Sequence, residues 1–421
     1  MLGGAAALAF TIGLLYSVAP FASPSISPAD PLNAASRAGH IDKVRELIAH
    51  GSDVNASDDF GNTPLLYAAM GKQTAMAAYL LRAHADPNYL QPQTGFAALH
   101  YAVMNDDGAL IAALLDAGAD VTLRGVRSPD PLHLAAERGT LDATAVLLSA
   151  GAPVDKEDVN GATALELAVR RDRADLTELL LHSGASVGRV RLPSGRTVLH
   201  LAAVRGSAKV VPILVAAGAD GTARDQWGQT PLDLALAYKN PTVVLALFRL
   251  SPGNPKLQEI FHEAMENAVM RGRTEVVTML LAAGWDVNRP TPERSFYLND
   301  AALKGQFKTV KLLLDRGARL ESRNAADGTP LHDAVISGNA ELVAFLLDRG
   351  SELEAPAGEN RATPLMIAVE LEHKDVVALL LRRGANPLTK DARGKNCLDR
   401  AAETRDLSLT NLLKSSGTPA S

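Results

Sequence analysis

The chain has 421 residues, 47% of them apolar and only 4% aromatic, with a formal charge of −5 and a pI near 6.1. That balance leaves no electrostatic footprint for a nucleic acid or an anionic membrane surface. A single cysteine, Cys397, excludes an internal disulfide.

Residues 1–29 carry no charged side chain, and Leu2 to Ala19 is an almost unbroken apolar run of 18 residues closed by Pro20. The run is at the lower limit for crossing a bilayer. It also suits a secretory signal, with Ala19 and Ala22 as small residues near a cleavage point. No Lys or Arg precedes it, and Pro20 would follow a cut after Ala19; both depart from the signal pattern. The expectation is a signal peptide or membrane anchor over 1–22, with a tether through residues 2–19. A buried leading helix or a misplaced start codon is the bland alternative. Pro24, Pro28 and Pro31, with Ser between them, predict an extended linker over 23–31.

From there the chain repeats. Pro131-Leu132-His133-Leu134-Ala135-Ala136, Val198-Leu199-His200-Leu201-Ala202-Ala203 and Thr329-Pro330-Leu331-His332-Asp333-Ala334 are its cleanest copies. The position of Pro131 recurs at 31, 64, 98, 131, 164, 198, 231, 264, 297, 330, 364 and 397, in steps of 33 or 34 residues. A fixed period of this size marks stacked repeats, each of which hides its apolar side against its neighbours. It overrides the domain count that length alone would suggest.

The copy at 127–159 shows the local logic. Pro131 fits a first helical residue, where a missing N–H and a fixed φ are tolerated. The helix is expected to stop at Gly139. A second helix follows with Leu141, Thr144, Ala145, Leu147 and Leu148 as its buried stripe, ending at Gly151. The position of Gly151 is Gly in ten copies and departs only at His84 and Ser251, which predicts a recurrent left-handed turn. Ala pairs in the first helix allow close approach, and Leu pairs in the second fill the space between units.

Gly61-Asn62-Thr63-Pro64-Leu65, Ala117-Gly118-Ala119-Asp120-Val121 and Ala217-Gly218-Ala219-Asp220 resemble the ankyrin repeat family, and the resemblance runs over about residues 32–417. It implies an all-α solenoid of helix–turn–helix units with projecting turn or hairpin fingers. It also implies a curved stack that binds another protein on its concave side. Copy one, starting at Pro31, and copy twelve, with Cys397 for Pro and with Arg400, Glu403 and Arg405, read as caps. Ser251-Pro252-Gly253-Asn254-Pro255 replaces a finger, and an amphipathic stretch runs from Leu257 to Met270. A seam near 249–263 is therefore expected, dividing repeats 1–7 (32–250) from repeats 8–12 (251–417), with a disordered tail over 418–421.

Little in the sequence points to chemistry. His100, His133, His200 and His332 lie a repeat or more apart and read as side-chain ties between adjacent turns, not as metal ligands. Gly184-Ala185-Ser186-Val187-Gly188 matches a nucleophile elbow but follows a helix where that motif needs a strand. His262-Glu263-Ala264-Met265-Glu266 lacks the second His of a zinc helix. Cys397 reads as a packed small residue. No catalytic residue, metal or cofactor is assigned.

The position two residues after the motif Leu is Tyr67, Tyr101, Leu134, Leu167, Leu201 and Leu234, then mostly polar: Asn267, Asp300, Asp333, Ile367 and Arg400. Fingers add Phe60, Tyr89, Phe96, Trp227, Trp285 and Phe296. Tyr and Trp are favoured interface anchors. Phe60, Tyr67, Tyr89, Phe96 and Tyr101 are the candidate partner-binding patch on copies two and three, with Trp227 as a further anchor. The competing account has Phe60 and Phe96 covering finger bases while Tyr67 and Tyr101 pack between helices. The sequence thus points to a monomeric, non-catalytic interaction scaffold, exported or membrane-tethered, that binds a protein. A cytosolic adaptor and a secreted effector remain the alternatives.

Overall fold

The computed structural model describes residues 31–126, 128–190, 194–404 and 406–416. The expected signal or anchor, the linker before Pro31 and the tail 418–421 lie outside the described residues. No helix among the described residues is long and apolar enough to cross a membrane.

The described residues form 24 helices in twelve pairs. The first pairs are α1 (Pro31–Ala38) with α2 (Ile41–Ala49), α3 (Pro64–Met70) with α4 (Thr74–Arg82), and α5 (Ala98–Met104) with α6 (Gly108–Asp116). Next come α7 (Pro131–Arg138) with α8 (Leu141–Ser149), α9 (Ala164–Arg170) with α10 (Ala174–His182), and α11 (Val198–Arg205) with α12 (Val210–Ala216). They are followed by α13 (Pro231–Ala237) with α14 (Pro241–Arg249), α15 (Pro255–Met270) with α16 (Thr274–Ala283), and α17 (Tyr297–Leu303) with α18 (Phe307–Asp315). The chain ends with α19 (Pro330–Ile336) and α20 (Ala340–Asp348), α21 (Pro364–Glu370) and α22 (Lys374–Arg382), and α23 (Cys397–Thr404) and α24 (Leu407–Ser416). Among the described residues there is no strand; isolated bridges join Pro290 to Phe296 and Ala357 to Ala362, and Arg196 is a further bridge residue. This is the all-α solenoid of helix–turn–helix units and fingers that the period implies.

The first helices start as their sequence requires. Thr63 Oγ1 accepts from Leu66 N at 3.3 Å and Asp130 Oδ1 from His133 N at 3.1 Å, each just before a proline at the first helical position. Side-chain caps of this kind satisfy amides that the helix leaves open. α7 stops at Gly139 with φ +77°. The second helix of every regular copy ends in the same left-handed turn. Gly151 has φ +85° with nothing within 4 Å of where a Cβ would stand, so its requirement is conformational alone. His84 adopts the turn with φ +65° despite its side chain.

One expected stripe is corrected. In α8 the buried residues are Ala143, Thr144 and Leu147, whereas Leu141 and Ala145 are exposed and Leu148 is half-buried. The helix is rotated so that Ala143 meets its neighbours closely. Five of the Leu pairs behave similarly: Leu80, Leu114, Leu180, Leu313 and Leu346 are fully buried, while Leu81, Leu115, Leu179, Leu312 and Leu347 are only partly so; in α22 both Leu379 and Leu380 are buried.

The described residues divide into two compact units, one within 31–167 and 182–185, the other within 168–181 and 186–416. In the first unit α1, α3, α5 and α7 pack in succession, and α4, α6 and α8 do the same. In the second unit the succession of first helices runs from α11 to α23. The stretch 249–263, where a seam is expected, lies inside this second unit. There α15 is a single helix of 16 residues, capped by Asn254, whose Oδ1 accepts from Leu257 N at 3.1 Å.

Beside α15 is an aromatic core. Phe248, Phe261 and Trp285 contact one another with ring centroids 5.4 to 6.3 Å apart, and Tyr297 is fully buried next to them. Trp285, expected on the finger surface, is therefore a core residue. A Cβ at Gly284 would stand 2.9 Å from Phe248 Cε1, so here glycine supplies room as well as a positive φ.

Candidate protein-docking surface

The motif histidines are committed to the main chain. His100 Nδ1 accepts from Ala97 N at 3.1 Å, which places the proton on Nε2, and Nε2 donates to Pro129 O at 3.0 Å in the next repeat. His200 and His332 repeat this, reaching Gln229 O and Ala355 O at 3.0 Å each. Burial pushes His100 and His332 down to about 4, so both are neutral donors at neutral pH. His133 differs: its Nδ1 faces Asp130 while Nε2 meets Ala162 O at 2.9 Å. Burial opposes its charge, but the hydrogen bond to Asp130 and that carboxylate's field raise its pKa. Gly184 to Gly188 form the turn after α10. Cys397 is fully buried, and burial pushes its thiol up to about 12.

Of the candidate patch, Tyr67, Phe96 and Tyr101 are linked, by hydrogen bonds as much as by apolar contact. Tyr67 donates to Asp58 Oδ2 at 2.5 Å and accepts from Asn62 Nδ2 at 3.3 Å. Gln91 Nε2 donates to Asn62 Oδ1 at 2.7 Å, and Tyr101 donates to Gln91 Oε1 at 3.1 Å. The chain of contacts ties copies two and three. Phe96 and Tyr101 are buried; Phe96 stacks on His100 and meets Tyr101 edge-on, with centroids 5.3 and 5.6 Å apart. Phe60 is 43% exposed, and Tyr67 and Tyr89 are half-buried. Solvent-facing area in this group therefore comes from Phe60, Tyr67 and Tyr89. In the second unit, Trp227 is 60% exposed, with the Arg196 guanidinium 5.1 Å from its ring centre. Arg196 is held in turn by the buried Asp225 carboxylate at 3.1 Å.

A second set was not picked out from sequence. Tyr238, Met270, Leu303, Ile336 and Leu371 are 55, 40, 41, 41 and 43% exposed. Each is the last residue of its first helix or the cap that follows, on α13, α15, α17, α19 and α21. Met270, Leu303 and Ile336 occupy the same position in three consecutive repeats of the second unit, and Tyr238 and Leu371 stand one residue further on in the repeats that flank them. The geometry is local: for Met270, Leu303 and Ile336, five residues past the motif position is about 500° of helical rotation, some 140° away from the core face, and for Tyr238 and Leu371 six residues is about 600°, some 120° away on the other side. Leu298, Ala301 and Ala302 are buried on α17 while Leu303 emerges. The signal was present in the spacing, but an apolar residue within a helical period reads as core until its neighbours are known.

Acidic side chains lie on the same helices. Glu266 on α15, Asp300 on α17 and Asp333 on α19 all have raised pKa values, with burial the largest cause and neighbouring carboxylates adding to it. Asp333, fully buried, is pushed up to about 7; its carboxyl accepts from Asn299 Nδ2 at 2.8 Å and Asn324 Nδ2 at 3.0 Å.

Comparison with known proteins agrees with this architecture. The profile for ankyrin repeats in three copies matches residues 32–125, 114–191, 188–259 and 265–357, and the single-repeat profile matches 360–392. Cyclin-dependent kinase 4 inhibitor B of Bos taurus is 37% identical over 115 residues, 27% of this chain and 86% of that protein. Ankyrin repeat and SOCS box protein 3 of Bos taurus is 27% identical over 206 residues, 48% of this chain. The match spans 33% of that relative's length. The crystal structure of the Bcl-3 ankyrin repeat domain is 28% identical, covering 50% of this chain and 95% of that one, with a TM-score of 0.46.

Proposed function

Since the chain belongs to the ankyrin repeat family, we propose that it is a non-catalytic scaffold that docks another protein on the face made by its first helices and fingers. The observation that carries the reading is the exposed apolar row Tyr238, Met270, Leu303, Ile336 and Leu371. Scattered exposed leucines need no explanation, but an exposed apolar side chain at the end of the first helix in five consecutive repeats, at the same position in three of them, is a recurrence of the kind expected at an interaction site. Phe60, Tyr67 and Tyr89 on the first unit, and Trp227 on the second, supply aromatic anchors of the type favoured at interfaces.

The test begins with crosslinking in intact cells to identify what is attached. Binding of the recovered partner is then compared between the wild type and the chain carrying Leu303→Ser with Ile336→Ser. Loss of at least about tenfold in affinity, about 1.4 kcal/mol, is expected. Unchanged affinity, with the same unfolding midpoint, would remove the row from the binding face. The charge-free run over 2–19 supports a destination outside the cytosol, either by cleavage or by tether. N-terminal sequencing of the mature chain separates these two. Recovery of the full-length chain in the cytosolic fraction would overturn both.

A further inference from the structure

A second feature of the second unit stands independently of the apolar row. Tyr297 is fully buried, and its hydroxyl has two partners: Trp285 Nε1 at 3.1 Å and His262 Nδ1 at 2.7 Å. An indole N–H can only donate. The tyrosine oxygen therefore accepts from Trp285, and giving the hydroxyl proton to His262 Nδ1 is the assignment that leaves no buried hydroxyl proton without an acceptor. With Nδ1 accepting, the neutral imidazole of His262 carries its proton on Nε2. That Nε2 is sealed from solvent and has no hydrogen-bond partner. The relay from Trp285 through Tyr297 thus fixes a donor that nothing in the fold satisfies, an arrangement buried polar groups rarely tolerate.

His262 lines a cleft of about 380 Å³ between the N-terminal half of α15 and the finger 289–292. Pro255, Pro290 and Pro292 line it together with Gln258, Glu259, Arg289 and Thr291. The Arg289 guanidinium lies over the Trp285 ring, 4.9 Å from its centre. Among the described residues no carboxylate is at ion-pair distance from it. Stacking on Trp285 occupies the flat face of the guanidinium and leaves its N–H edges, the part that grips a carboxylate. Arg289, Pro290 and Pro292 are exposed and form the rim over His262, so a ligand reaches Nε2 only by displacing that rim.

We propose that this cleft binds a carboxylate, held by Arg289 and by the Nε2–H of His262. The His262 donor is already stripped of water, so it gives up no hydration when a ligand oxygen meets it and the desolvation cost falls on the ligand alone. Glu259 on the wall repels a bare anion. Together with Gln258 it can instead accept the amide N–H next to the carboxylate, so the ligand class is a peptide carboxylate, from a chain terminus or an acidic side chain.

The test uses the full chain with nitrogen-15-labelled histidine and three tripeptide probes. They are acetyl-Gly-Ala-Gly as the free acid, acetyl-Gly-Glu-Gly amide, and acetyl-Gly-Ala-Gly amide as the neutral control. The free protein is expected to show His262 as the Nε2–H tautomer, and either acidic probe is expected to shift that resonance while the neutral one leaves it in place. Binding through the free acid alone assigns a chain terminus, binding through the Glu peptide alone assigns a side chain, and binding of both assigns the carboxylate in general. Arg289→Gln, an exposed position, is expected to weaken binding by about tenfold or more at an unchanged unfolding midpoint. The proposal is overturned if His262 carries its proton on Nδ1, if neither acid shifts it at tens of millimolar, or if Arg289→Gln binds as well as wild type.

Discussion

His133 Nδ1 lies 2.8 Å from Asp130 Oδ1, and this contact separates it from the other motif histidines. In the other three, Nδ1 accepts from a main-chain N–H, and burial lowers the pKa. In His133 the carboxylate outweighs burial and the pKa rises, while Asp130 is lowered by His133 and by Lys156 at 3.4 Å, against the effect of burial. A raised histidine contributes stability that is complete below its unfolded pKa and is lost as pH rises through the folded value. A lowered aspartate contributes stability that is lost as pH falls through its folded value. The pair therefore stabilises a window between the two. Asp130→Asn should drop the His133 pKa below that of a free histidine, as read by proton NMR titration of the ring. A His133 that still titrates above it would show that the carboxylate is not the cause.

Asp333 works in the opposite sense. Its carboxyl is raised to about 7 by burial, with Asp300 adding to the shift. Between the unfolded value near 3.8 and about 7 the native chain binds the extra proton, so this group's contribution to stability declines as pH rises across that range. The difference in urea midpoint between Asp333→Asn and wild type should move in favour of the variant from pH ~4 to pH ~8. A difference that stays constant with pH would refute the shifted carboxyl.

The turn between the two helices of a pair is left-handed in every described copy, and five copies place a side chain there. Lys72, Asp106, Asp172, Lys239 and Glu372 have φ between +52° and +57°. Two of the aspartates have a compensating use: Asp106 Oδ1 accepts from Ala143 N and Asp172 Oδ1 from Lys209 N. Lys239 is exposed and has no such use. Lys239→Gly is expected to stabilise the chain by up to about 1 kcal/mol, because relief of left-handed strain exceeds the entropy that glycine adds to the unfolded state. Gly151→Ala is expected to cost about 1–2 kcal/mol through strain alone. Thermal or urea unfolding measures both, and a stabilised Gly151→Ala would break the argument.

Leu147 is fully buried in α8. Leu147→Ala should cost about 2–5 kcal/mol, as for other core leucines. An unchanged unfolding transition would remove Leu147 from the inter-repeat core.

The finger at 251–255 departs from the repeat, and limited proteolysis is expected to cut first within 249–263. First cleavage elsewhere would place the weak point at another position.

Much of this molecule is visible in its residues. The twelve-fold period, the glycines at 139 and 151 and the buried Leu at 80, 114, 147, 180, 313, 346 and 380 follow from local rules: which φ a residue accepts, and which side of a helix is apolar. The histidine ties were legible too, because the same side chain recurs at the same step. The stripe of α8 was misjudged, since Leu141 and Ala145 satisfy a helical period without facing a neighbour. Trp285 was misplaced because its burial depends on Phe248 and Phe261, which follow no repeat rule.

The sequence by itself determined the repeating backbone, since each turn and cap is decided within a few residues and then copied every 33 or 34 positions. Only the tertiary structure decided which apolar side chains meet water, which histidine faces a carboxylate and which nitrogen of His262 carries the proton. Those outcomes depend on side chains from elsewhere in the chain, and the electrostatic and packing environment of a residue does not exist until those partners have been brought to it.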